Sequence, residues 1–153
     1  MMQLRRYRAF APVAVVIFSL SMPVVPASAQ NGRTGQIHIA KDCSQYTFMA
    51  GGFCTIVTSD LPEISPGTKV FYDQAFGTPT GMLDSNVLLY VSVGNWATGR
   101  CTVEASTGLG LCTFSDGTGQ LAGFTARINV RIDPATLITY WDGTYTFSPL
   151  PPK

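Results

Sequence analysis

Residues 97–115 read Ala-Thr-Gly-Arg-Cys-Thr-Val-Glu-Ala-Ser-Thr-Gly-Leu-Gly-Leu-Cys-Thr-Phe-Ser, two alternating runs joined by Ala105-Ser106-Thr107-Gly108. Alternation at every second residue is the period of a strand with two unlike faces. Gly108 stands last in a four-residue loop, the place where a positive φ is needed. That loop sets Cys101 directly opposite Cys112 on one face, a separation that a disulfide bridges. On the same face Gly99 meets Phe114 and Val103 meets Gly110. Turn and cysteines therefore specify one register.

The same period extends in both directions. Eight strand-like runs follow one another: Gln36–Lys41, Phe53–Ser59, Lys69–Phe76, Val87–Val93, Ala97–Ala105, Leu109–Ser115, Gly123–Ile132 and Leu137–Phe147. Glycine, proline and asparagine clusters separate them, and no window sustains a helical period. Eight short antiparallel strands with tight turns predict an all-β fold, a closed barrel or a sandwich; an eight-stranded antiparallel β-barrel is the favoured form, because closure removes exposed edges. The last hairpin is read through Asp133-Pro134-Ala135-Thr136, with Pro134 at the second turn position. This register places Ile128 opposite Trp141, Phe124 opposite Tyr145 and Ile132 opposite Leu137. On the other face it pairs Arg127 with Asp142 and Asn129 with Tyr140. Val87–Val93 (Val-Leu-Leu-Tyr-Val-Ser-Val) is apolar on both faces, so a loop such as Pro62–Gly67 or a second subunit is expected to cover its outside.

The amino-terminal segment has a different character. Arg5, Arg6 and Arg8 precede an apolar run, Ala9–Leu20, and then Ala27-Ser28-Ala29. Charge, apolar run and small-x-small site together predict a signal peptide over 1–29, cleaved before Gln30. The run is shorter than the ~20 residues that span a bilayer, and no integral membrane segment follows it. The domain plan is thus signal peptide, flexible 30–35, a single barrel domain over 36–148, and a proline-rich tail over 149–153. Residues 30–153 carry seven basic and nine acidic side chains, a net charge of −2. No basic stripe marks a nucleic-acid partner. Export predicts an oxidising compartment, extracellular or periplasmic, where Cys43, Cys54, Cys101 and Cys112 form two disulfides. Of three connectivities, Cys43–Cys54 with Cys101–Cys112 is favoured: the second pair by hairpin register, the first mainly by elimination. The cysteines lack the close spacing of a zinc ribbon, so no metal site is expected.

Catalytic motifs are missing. Gly117-Thr118-Gly119-Gln120-Leu121-Ala122 matches G-x-G-x-x-A, but a strand pattern follows it where a dinucleotide site needs a helix. It reads as a tight glycine turn, and no cofactor is expected. His38 faces away from Ile37 and Ile39 and reads as a half-buried or solvent-facing histidine, with no serine–acid partnership in the sequence. Glu104 and Asp142 could act as a carboxylate pair only if the fold aligned them. An aromatic-rich interior built from Tyr46, Tyr72, Tyr90, Tyr140, Tyr145, Trp96 and Trp141 suits a packed core, or walls around one small ligand.

The stretch Cys112-Thr-Phe-Ser-Asp-Gly-Thr-Gly-Gln-Leu-Ala-Gly-Phe-Thr-Ala-Arg127 resembles a segment of plant dirigent proteins and allene oxide cyclases. In those proteins a strand runs into a glycine-rich turn and then a strand ending Ala-Arg-Gly. The closing Trp-Asp-Gly-Thr-Tyr-Thr-Phe agrees, and the whole chain resembles an exported bacterial branch of that barrel superfamily. The resemblance implies an eight-stranded barrel, often trimeric, with a hydrophobic cavity. Only Arg127 carries across by position, and Ile128 stands where the dirigent glycine would follow. The expected function is binding or steering of a small hydrophobic or phenolic ligand in the lumen, by Tyr72, Tyr90, Arg127 and Asp142. Two alternatives stand beside it. One is a cyclase or isomerase acting on a lipid-derived substrate; the other is a structural or interaction protein of the cell envelope with a solid core. A homo-oligomer, with a trimer favoured, is the expected assembly.

Overall fold

The computed structural model of the chain describes residues 32–77 and 81–149. The expected signal peptide over 1–29 and the tail beyond Pro149 lie outside the described residues. Eight strands form: β1 (Arg33–Asp42), β2 (Phe53–Ser59), β3 (Lys69–Tyr72), β4 (Met82–Ser92), β5 (Asn95–Glu104), β6 (Leu109–Ser115), β7 (Phe124–Ile132) and β8 (Ile138–Phe147). Each pairs antiparallel with its sequence neighbours, and β1 pairs with β8, so the sheet closes into a barrel. Among the described residues the one helical element is a 3-10 turn over Gly119–Leu121. The glycine-rich stretch before β7 therefore turns the chain and feeds a strand, as the pattern after Ala122 requires.

The barrel begins earlier than the pattern predicts. Arg33, Thr34 and Gly35 pair with Phe147, Thr146 and Tyr145, so they are strand where the sequence reads as flexible. Their ladder partners on β8 order them; their own polarity conceals it.

Period-two alternation becomes inside and outside. Ile37, Ile39 and Lys41 of β1 are buried, as are Leu83, Ser85, Val87 and Leu89 of β4 and Phe124, Ala126, Ile128 and Val130 of β7. Large and small inward residues face one another across strands, as small barrels require. Gly99 lies opposite Phe114, and a Cβ on Gly99 would strike the Thr113 carbonyl and the Phe114 ring. Gly143 lies between Ile37 and Ile128, where a Cβ would meet the Arg127 carbonyl.

The β5–β6 hairpin has the expected register, with Cys101 opposite Cys112 and Gly108 at φ 67°. The β7–β8 hairpin is shifted by two residues. Asn129 pairs with Asp142, Val130 with Trp141, and Arg127 with Thr144. The cause is Leu137, which adopts φ 57° and donates its N–H to the Asp133 carbonyl at 2.8 Å. The loop is thus Pro134–Leu137, closed by a left-handed residue as Gly108 closes the other, and leucine gives no sign of that conformation. A shift of two preserves the faces, so the apolar set still points inward.

On the outside of β4, Leu88 and Tyr90 are half-buried, and Tyr90 packs on Phe71, which packs on Phe53. The Pro62–Gly67 segment sits elsewhere, at one end of the barrel. There Leu61 and Ile64 are buried, Glu63 pairs with Arg33, and the Glu63 carbonyl accepts from Gln120 Nε2.

Candidate functional site

The two ends of the lumen differ. Towards the end held by Pro62–Gly67, aromatic rings fill it. Trp141 packs on Phe114 at 5.4 Å between centroids, Phe124 on Phe147 at 5.2 Å, and the Arg33 guanidinium lies 4.5 Å from the Phe147 ring. Towards the other end lies a cavity of about 60 Å³, enough for a few water-sized groups. Its walls include both disulfides, Leu83, Val103 and Val130, and its polar groups are Lys41, Tyr46, Tyr72 and Thr139.

Both cysteine pairs are bonded, Cys43 with Cys54 and Cys101 with Cys112, and none remains free among the described residues. Cys43 ties the end of β1 to the start of β2, and so holds the β1–β2 loop against the barrel mouth. That loop places Tyr46 inside and Phe48 at the rim. Phe48 has φ 59°, an unfavourable conformation for a bulky side chain. Its ring stacks between Tyr46 at 5.2 Å and Phe76 at 5.8 Å. Three aromatic rings thus border the cavity mouth.

Lys41 is the central group. It follows Ile37 and Ile39 on the inward face of β1 and is 2% exposed. Its Nζ donates to the Tyr72 hydroxyl, lies 4.2 Å from the Trp141 ring centroid and 5.0 Å from that of Tyr72. Among the described residues no carboxylate pairs with it. Removal from water disfavours the ammonium, and burial pushes the Lys41 amine down to about 7. Burial also holds the Tyr72 hydroxyl well above its ordinary value, with a smaller push from Tyr46. The Tyr46 hydroxyl lines the same cavity, is buried and has no hydrogen-bond partner. An unsatisfied buried hydroxyl, in a cavity that also holds an amine with no carboxylate partner among the described residues, is costly unless a ligand group meets it.

Of the four residues expected to bind a ligand, Tyr72 alone lines this cavity. Tyr90 is on the outside against Phe71. Arg127 and Asp142 are exposed on the outer face, and the two-residue shift separates them. Asp142 instead meets His38, whose Nδ1 is 2.8 Å from Asp142 Oδ1. That hydrogen bond, opposed weakly by burial and helped by Asp60, raises the His38 pKa. Glu104 does not join Asp142; it accepts from Ser106 and Thr107 in the β5–β6 turn. Among the described residues no cluster of histidine, cysteine and carboxylates could hold a metal.

Lys41 was legible in principle. Ile37, Ile39 and Lys41 share one parity, which puts the lysine on the same face as the two isoleucines. A terminal lysine on a strand ordinarily escapes to solvent, and here the β1–β2 loop folds over it.

The fold and site define a small closed β-barrel with a lysine inside its lumen. Comparison of the chain with protein-family models, with curated proteins and with solved structures finds no match.

Proposed function

We propose that the barrel binds one small, mainly apolar ligand in the open half of its lumen, with its polar end against Lys41, Tyr46 and Tyr72. The observation that carries this reading is an apolar-walled cavity in which, among the described residues, the Lys41 amine lacks a counter-charge and the Tyr46 hydroxyl lacks a partner. A short-chain acid or alcohol suits it: the carboxyl or hydroxyl group satisfies both residues while the hydrocarbon part meets the disulfides, valines and leucine. The likeness of Cys112–Arg127 to dirigent proteins and allene oxide cyclases supports a lumenal ligand of this kind. Arg127, the residue that likeness shares by position, would not contact it.

Export belongs to the same proposal. Two disulfides fit an oxidising compartment, and no helix among the described residues is long and apolar enough to cross a membrane. Self-association, with a trimer favoured, would use the outer stripe of Phe53, Phe71, Leu88 and Tyr90, and light scattering of the exported protein reads it directly.

A thermal-shift series with 1-propanol and propionic acid tests the ligand reading. Wild type and Arg127→Ala should gain melting temperature, while Val103→Phe, which fills the cavity, should not. Equal shifts in Val103→Phe, or none in wild type, would remove the lumen as the binding site.

A further inference from the structure

We propose that Lys41 captures small apolar aldehydes or ketones as an imine inside the lumen, a chemistry that rests on the lumenal binding described above. The geometry meets the needs of that reaction. The amine lies among apolar walls and disulfide sulfurs, hydrogen-bonded to the Tyr72 hydroxyl, and among the described residues no carboxylate holds it as an ammonium. Its neighbours from every packed element are uncharged: Tyr72 of β3, Tyr46 of the β1–β2 loop, and Trp141 and Thr139 of β8. The flat face of Trp141, 4.2 Å away, limits Nζ on one side and leaves the cavity side for attack. The low affinity of this amine for its proton, caused by burial, supplies the free base near neutral pH.

The step balances without a further reactant. The Nζ lone pair forms a C–N bond to the carbonyl carbon, giving a carbinolamine. Loss of the two nitrogen-borne hydrogens and the carbonyl oxygen as one water then leaves a neutral C=N bond. The Tyr72 hydroxyl, in hydrogen-bond contact with Nζ, is placed to pass a proton between nitrogen and departing oxygen. A neutral product suits a lumen that cannot solvate a charge.

The chain makes the test clean, because its lysines are Lys41, Lys69 and Lys153 alone. The oxidised protein is treated at pH 7.5 with propanal and cyanoborohydride, and propylated sites are mapped by peptide mass spectrometry over time. 1-Propanol, which has the same chain but cannot form an imine, is run in a parallel thermal-shift assay. Lys41 should be labelled at least about tenfold faster than Lys69 or Lys153, since burial leaves the Lys41 amine far more free base than an ordinary lysine holds. Tyr72→Phe should slow Lys41 labelling and leave Lys69 labelling unchanged. Labelling of Lys69 or Lys153 as fast as Lys41, with 1-propanol still raising the melting temperature, overturns imine capture and leaves lumenal binding standing. Neither selective labelling nor a shift with 1-propanol overturns both. The comparison among lysines is internal to the wild-type protein, so it survives any folding defect in Tyr72→Phe.

Discussion

Lys41 Nζ faces the Trp141 ring across the β1–β8 seam, and Trp141 is the largest fully buried side chain among the described residues. A cationic amine gains from that ring face, yet the gain is smaller than the hydration it loses. The pair therefore holds the lysine in place without holding its charge.

Stability should depend on pH through this residue. The Lys41 amine has its ordinary value of 10.5 when unfolded and about 7 when folded. Between those values the unfolded chain binds the extra proton, so stability rises with pH from about 7 upward and is least at and below 7. The Tyr72 hydroxyl, raised by burial, works in the opposite direction only above its unfolded value near 10. Urea denaturation at pH 6.5 and pH 9 should show wild type more stable at pH 9, by about 1.4 kcal/mol for each unit of the difference realised. Lys41→Met, which replaces the amine by an apolar chain of similar length, should lose that increment. The His38 contribution has the opposite sign, since a raised histidine pKa stabilises at low pH and fades as pH rises through it. It is common to both proteins and cancels in the comparison.

His38 gives a separate readout. In wild type its NMR titration midpoint should lie above 6.5, because Asp142 accepts from the imidazolium. Asp142→Ala should move the midpoint back towards 6.5 while leaving the fold intact, both side chains being exposed on the outer face. An unchanged midpoint would assign the shift to Asp60, whose Oδ1 accepts the His38 backbone N–H at 2.9 Å.

The Cys101–Cys112 bond joins residues 11 apart in sequence on adjacent strands. Cys101→Ala with Cys112→Ala should cost roughly 2–4 kcal/mol by chemical denaturation, the usual range for a crosslink of this kind. Both sulfurs also line the cavity, so the double variant should alter ligand affinity even where the barrel stays folded.

Gly143 is the most constrained position on β8. A methyl group there meets the Arg127 carbonyl and the Ile128 backbone, so Gly143→Ala should lower stability by roughly 1–3 kcal/mol, as overpacking does. A melting temperature equal to wild type would mean that β7 and β8 can separate locally without loss.

The alternation of apolar and polar residues made the barrel, its strand order and the β5–β6 register readable from the chain. Gly108 announced its turn because glycine is the residue a positive φ calls for. Leu137 occupies the equivalent place silently, and the hairpin between Arg127 and Asp142 was consequently misaligned by two. The side chains chosen for the lumen followed from that alignment. Arg127 and Asp142 were credible as a pair only if they faced each other and faced inward; their parity alone places them outside. Tyr72 shares the inward face of Val70, and its parity is visible in the chain. Lys41 was passed over because charge commonly outweighs parity at a strand end, and the loop that seals it is fixed by Cys43–Cys54, a pairing reached largely by elimination.

Each disulfide joins strands that are already neighbours in the chain, β1 with β2 and β5 with β6. Neither spans the junction of β1 with β8, where Arg33 through Asp42 meet Ile138 through Phe147. The ring is therefore fastened along its circumference and left unfastened at its clasp. Oxidation can finish on a ribbon whose ends have not met, and those ends belong to the most distant parts of the described chain. Bringing them together closes the longest loop of the sheet, and so carries the largest closure entropy of its strand pairings. Lys41 and Trp141, on the two sides of that clasp, come into contact only once it shuts.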